Sequence, residues 1–463
     1  MKLLFISFFL MLSIMVSSQN ADSLFFRKVY DYALTESSCY HNLEVLCKTV
    51  GHRLSGSPQA QKAVEWGEKT MRDLGFDTVY LQEVMVPYWV RGKESLSISV
   101  IDNEKEVKKN IAQSKTISVT ALGGSVGTDG ILEGELIEVK TWEELRAFGE
   151  KKIKGKIVFL NRAMDEKSIV TFKSYGGCVD QRADGASEAA RYGAKGVIIR
   201  SVTQSDDDHP HTGSLHYNDS LPKIPAAAVS TKYADFISKE IASGKTVKIK
   251  LELGCETMDD VKSYNVIGEL RGIENPKNII VVGGHLDSWD KGEGAHDDGA
   301  GCVHSIEVLN ILKNTGYKPK NTIRCVLFMN EENGVMGGKK YAEVAKSDGT
   351  VHLAAMESDR GGFTPIGFSI DGTPAQIQRV ESWAGLFKPY QIHQFEKGYS
   401  GVDVGKLKNG QTLLMGFIPD SQRYFDHHHA DTDVFESVHK RELELGCAAM
   451  ACMVYLIDFY SIP

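Results

Sequence analysis

The chain has no basic patch, no low-complexity block and no internal repeat of 20–50 residues. With a net charge of −8 and a pI near 6.0, the first absence speaks against a nucleic-acid partner. The last speaks against a solenoid. No cysteines have zinc-finger spacing. Beyond the N-terminus, no apolar run reads as long enough to span a membrane. What remains is an ordinary globular composition, 42% hydrophobic and 25% charged, over 463 residues. That length allows two or more domains and an ample core.

The first residues, MKLLFISFFLMLSIMVSSQN, place one lysine before an apolar stretch and then small residues. This pattern predicts a secretory signal over residues 1–18, cleaved after Ser18. The expected destination is the periplasm or the medium, with no membrane attachment after cleavage. Export permits disulfides, but eight cysteines allow 105 pairings, so none is assigned. Cys302, Cys325, Cys447 and Cys452 sit in apolar runs and read as buried thiols. Asn218-Asp219-Ser220 is a glycosylation sequon, relevant only in a eukaryotic secretory pathway.

Residues 59–75 read as an amphipathic helix ended by Gly75, and 77–86 and 95–102 alternate like strands. A middle section carries a strand–helix–strand pattern over 155–201, then a strand at 224–230 and a helix at 232–244. Between them, 202–223 is polar and aperiodic. Its His209, His211 and His216 near three aspartates read as a solvated loop rather than a metal site. From 256 to 463, strands alternate with helices. The expected fold is therefore α/β, a mostly parallel mixed sheet with helices on both faces.

In such sheets the chemistry sits at the carboxyl ends of the strands. After the strand at 278–284 come His285 and Asp287, and before the next helix Asp297 and Asp298. After 322–329 come Glu331 and Glu332; after 351–356 comes Asp359. After 411–418 comes FDHHHADTD, with His427, His428, His429, Asp431 and Asp433. Imidazoles and carboxylates in this number suit a pair of borderline divalent cations, and one shared carboxylate can hold two metals. His304 reads as structural, Asp403 as turn or site, and Trp289 as substrate wall or core.

The series HLDS, GAHDDGAG, NEENG, ESD and HHHADTD resembles the M28 co-catalytic zinc peptidases. The likeness covers about 440 residues. It implies a catalytic domain over 19–110 and 256–463, interrupted by a protease-associated-like domain at 111–255. It implies two zinc ions: His285 and Asp359 on the first, Glu332 and His427 on the second, Asp297 bridging them, and a cis Asp297–Asp298 peptide. His427 is chosen because it lies four residues before Asp431; His428 and His429 compete in the same run. Asp287 is expected to fix the His285 ring. Glu331 is expected to act as general base toward a water acidified by the metals, and then to protonate the leaving amine. Where several relatives have an oxyanion-stabilising tyrosine, this chain has Asp426, which leaves the zincs alone or Tyr424 as candidates and the oxyanion donor unassigned.

The resemblance further implies hydrolysis of small unblocked peptides, especially dipeptides, and a homodimer. Three other readings compete. A single-zinc glutaminyl-cyclase-like acyltransferase lacks a second full ligand set, and a non-catalytic ectodomain lacks ligands. An amidohydrolase on a non-peptide amide uses the same metal chemistry.

Overall fold

The computed structural model describes residues 21–102 and 114–463. The signal expected at 1–18 lies outside them. Two eight-stranded sheets organise the chain. The first runs, in spatial order, Thr78–Val90, Glu256–Leu270, Asn321–Phe328, Asn275–His285, Val351–Glu357, Leu413–Pro419, Pro365–Asp371 and Gln394–Lys397. Its four central strands, from Asn321–Phe328 to Leu413–Pro419, are mutually parallel, and antiparallel partners flank them. This is the mixed, mostly parallel sheet that the alternation of strands and helices predicts.

Both faces are covered. Ile280 and Val282 pack toward the helices Pro58–Asp73, Ala300–Asn314 and Lys440–Tyr460. Ile279 and Val281, one residue out of phase, pack with Tyr341 and Ala345 of the helix Met336–Asp348. The two-residue period of a strand thus feeds two separate cores. Helix boundaries follow local chemistry. Ser57 accepts the N–H of Ala60 with Pro58 in the first turn, and Gly75, at φ +68°, takes the chain out of the same helix.

Lys440–Tyr460 corrects one expectation. Its 21 residues include an 18-residue window apolar enough to cross a membrane, yet 83% of that window is buried inside the fold. It packs on Ala300–Asn314, which is itself buried from Ala300 to Leu312. A helix enclosed on all sides is apolar all round, and composition alone does not distinguish it from a span.

Glu307 lies in that enclosed helix. It accepts hydrogen bonds from Ser38 Oγ (3.1 Å) and Asn310 Nδ2 (3.0 Å). Burial pushes its carboxyl from 4.5 up to about 7. Between those values the folded chain holds a proton that the unfolded chain has lost, so stability falls as pH rises through this window. Glu307→Gln is expected to stabilise the fold by about 2 kcal/mol at pH 8 and to change little below pH 4, read by urea unfolding at both pH values.

The second sheet runs Ser114–Ile117, Glu94–Ile101, Thr246–Leu253, Leu132–Val139, Ile157–Leu160, Gly196–Arg200, Ala226–Val229 and Val119–Ala121. It includes Glu94–Ile101, a strand that lies within the stretch 19–110. Leu96 and Ile98 pair in register with Leu251 and Ile249 and share a core with Leu136 and Ile157. Their alternation shows a strand but not which sheet receives it. The two units share cores: Trp89 and Trp289 join one cluster of the insert, and Phe363, Tyr424 and Phe425 another. All eight cysteines are buried free thiols.

Candidate active site

The carboxyl ends of the parallel strands bring the acids and imidazoles together. His285 ends its strand, and its backbone N–H donates to Asp298 Oδ2 (3.0 Å). Asp298 Oδ1 accepts from Gly301 N (2.9 Å). The two neighbouring aspartates therefore divide their work. Asp298 ties the strand end to the following helix, while Asp297 faces the site. The peptide between them is cis, as expected.

Asp297 is the hub. His285 Nε2 lies 3.1 Å from its Oδ1, and His429 Nε2 lies 3.2 Å from its Oδ2. Asp359 Oδ1 is 3.5 Å from His285 Nε2. Glu332 Oε2 is 3.1 Å from His429 Nε2. Two groups of potential donor atoms, one on each side of Asp297, result. His285, Asp297 and Asp359 form the first. Asp297, His428 and His429 converge in the second, with Glu332 against His429.

This corrects the choice of His427. Its ring stacks near His296, with centroids 5.4 Å apart, and its Nδ1 lies 3.1 Å from the Thr432 carbonyl. His429 takes the place beside Asp297 and Glu332. The four-residue spacing holds if counted from Asp433 instead of Asp431. Asp433 is the buried acid, and it accepts the N–H groups of His296 (2.7 Å) and Asp297 (3.1 Å). Asp431 lies outside and pairs with His209. His428 stacks on His429 at 3.5 Å, with Nε2 3.8 Å from Asp297 Oδ2.

Asp287 also acts differently from expectation. It is the Asp287 carbonyl, 2.9 Å from His285 Nδ1, that orients the ring. The Asp287 carboxylate accepts the backbone N–H groups of Asn330 (2.7 Å), Glu331 (3.0 Å) and Glu332 (3.3 Å). It folds the NEENG turn over the site, with Asn330 at φ +73°. Both glutamates line the cavity, Glu332 buried and Glu331 partly exposed.

The two rings are held alike. His429 Nδ1 lies 3.3 Å from the Thr212 carbonyl, so both imidazoles can donate Nδ1–H to a backbone carbonyl and keep Nε2 free. Arg182 Nη1 is also 3.3 Å from His429 Nδ1, but one donor cannot serve another. The Thr212 contact is the one compatible with a free Nε2.

The residues fit divalent cations. Asp297 Oδ2 and Glu332 Oε1 are buried without a hydrogen-bond partner. Burial pushes the carboxyls of Glu331, Glu332 and Asp359 upward, and neighbouring acids add to the rise for each. Burial would also raise Asp297, but His285 and His429 hold it well below the carboxylate range. So many acids around two imidazoles need positive charge that the side chains do not supply.

The insert closes the site. A cavity of about 790 Å³ is lined by Asp297, Glu331 and Asp359 below and by Phe172, Tyr175 and Ser214 from the insert. Ser214 Oγ donates to the Glu332 carbonyl, and Thr203 Oγ1 to the Phe425 carbonyl (2.6 Å). Buried His211 faces the His428 carbonyl at 2.6 Å. The segment 202–223 is thus a structural brace on the histidine run, not the solvated loop its polarity suggests. Sequence reading also missed Arg53, wholly buried, which donates to the carbonyls of Leu286 (2.6 Å), Glu293 (2.7 Å) and Gly294 (2.9 Å).

Residues 265–445 match the model of peptidase family M28. Carboxypeptidase Q of Bos taurus is 32% identical over 428 residues, covering 92% of this chain and 86% of the relative. The chain belongs to peptidase family M28. It is an M28 metallopeptidase by sequence and by fold. The crystal structure of an M28 peptidase precursor from Shewanella amazonensis superposes with a TM-score of 0.88 at 32% identity, covering 95% of this chain and 97% of the other. A zinc aminopeptidase from Bacillus subtilis, at 19% identity, covers 90% of this chain and 94% of its own with a TM-score of 0.62, and shares the fold. The M28 match spans every strand end that carries a candidate ligand.

Proposed function

We propose that the chain is an exported zinc exopeptidase that hydrolyses small unblocked peptides, dipeptides foremost. The observation that carries this reading is the convergence of two imidazole Nε2 atoms on the two oxygens of one carboxylate, Asp297. In this reading His285, Asp297 and Asp359 hold one zinc, and Asp297, Glu332 and His429 hold the other. Bound there, the ions acidify a water and polarise the scissile carbonyl. Zinc suits the mixed imidazole and carboxylate donors, and likeness to carboxypeptidase Q supports the peptide substrate.

Glu331 is the proton carrier. Its backbone is fixed by Asp287, while among the described residues no hydrogen bond holds its carboxylate. It accepts the proton of the attacking water and delivers it to the leaving amine. Glu332, one residue on, gives its charge to the metal. Adjacent acids at the strand end therefore serve two roles. The insert limits the substrate to what fits beneath Phe172, Tyr175 and Ser214.

The test uses the chain without residues 1–18, loaded with zinc, and a matched set: a free dipeptide, its N-acetyl form and a longer peptide with both ends free. Mass spectrometry is expected to show the free dipeptide cleaved and the N-acetyl form inert. Cleavage of the N-acetyl form would make the enzyme a carboxypeptidase indifferent to the amine. No cleavage with zinc bound would overturn the peptidase reading in favour of a non-peptide amide.

A further inference from the structure

Three cations line the cavity, and the described residues occupy two of them. Arg182 donates to Tyr175 Oη (2.8 Å) and abuts His429. Lys339 Nζ donates to the Gly334 carbonyl (2.9 Å). The third, Arg360, has its guanidinium over the Phe172 ring, 5.0 Å from the centroid. Among the described residues it has no hydrogen bond and no carboxylate within 4 Å. Stacking on a ring uses the face of a guanidinium and leaves its in-plane N–H donors free. Stacking alone could be a structural role, but Arg360 stands on the cavity wall immediately after Asp359, beside the reacting centre.

A planar fork with free donors matches a carboxylate bidentately. We propose that Arg360 binds the free C-terminal carboxylate of the substrate and sets the scissile bond one residue away, against Asp297 and Glu331. This rests on the peptidase reading above and sharpens it: the preferred substrate ends one residue beyond the bond that is cut. Arg360 is a specificity residue, and its effect falls mainly on KM.

The test compares Ala-Ala, Ala-Ala-amide and Ala-Asp-amide as substrates of the zinc-loaded protein and of Arg360→Gln and Arg360→Lys. The wild type is expected to prefer Ala-Ala over its amide by about 100-fold in kcat/KM, the effect of a bidentate charge-assisted pair. Arg360→Gln should bring that ratio close to one, chiefly by raising KM for Ala-Ala, and Arg360→Lys should restore part of it. An acid preference that survives Arg360→Gln overturns the proposal. Arg360-dependent cleavage of Ala-Asp-amide with Ala-Ala disfavoured overturns the C-terminal assignment and moves the carboxylate to a side chain. If the wild type cleaves none of the three, the peptidase reading fails. Calorimetric binding of Ala-Ala against its amide then decides Arg360 separately: a preference lost in Arg360→Gln supports it, and equal binding by the wild type overturns it.

Discussion

Glu331→Gln is expected to lower kcat by about 10³-fold, within the range of general-base losses, while the protein keeps its full zinc content. The carboxylate and the amide that replaces it are nearly the same size, and the backbone N–H at position 331 still reaches Asp287 Oδ1. The turn therefore stays folded, and only proton acceptance is lost. Glu332→Gln is the control. It removes charge from a buried oxygen that faces His429 and has a partnerless twin, Oε1. That change is expected to release metal first and activity with it. Kinetics and metal analysis on the same preparations separate the two. Equal zinc loss in both variants would show that Glu331 is a ligand and would sink its assignment as base.

Much of this architecture is readable in the sequence because parallel strands impose a rule. Asn275–His285, Asn321–Phe328 and Val351–Glu357 end at one rim, so residues far apart in the chain meet there. Three motifs found by position alone, around His285, Glu332 and Asp359, fall within ligand reach of Asp297 or His429. The sequence is silent where contacts come from elsewhere in the chain. Arg53 clamps carbonyls more than 230 residues away. Thr212 and Arg182, in the insert, reach His429 across 217 and 247 residues. No periodicity encodes such pairs. The same holds for Glu94–Ile101, whose pattern is that of any strand, and for Lys440–Tyr460, whose apolar circumference comes from enclosure by the core.

Asp287 shows a subtler limit. Its place two residues after His285 marks it as a supporting group for that ring. The sequence does not show that its carbonyl serves the ring and its carboxylate the NEENG turn. Only the backbone path, with Asn330 in the left-handed region, sets that division. The polar segment 202–223 misleads for a related reason. Two of its polar side chains, His211 and Ser214, meet backbone carbonyls of the other unit, those of His428 and Glu332.

The histidine run gives the second large effect. His429→Ala is expected to lose one metal ion and more than about 100-fold in activity, whereas His427→Ala keeps both ions and most turnover. His429 Nε2 meets Asp297 and Glu332 at 3.2 and 3.1 Å, and the Thr212 carbonyl holds its other nitrogen. His427 meets Thr432 and His296 instead. Both histidines stand four residues before an aspartate, so spacing cannot choose between them. Burial can. Asp433 is enclosed and grips the N–H groups of His296 and Asp297, so the residue four before it is delivered to the same place as Asp297. Asp431 is half exposed and pairs with His209. Zinc stoichiometry by mass spectrometry on the two variants decides the matter. A full complement in His429→Ala, or a lost ion in His427→Ala, would return the second site to the simpler count from Asp431.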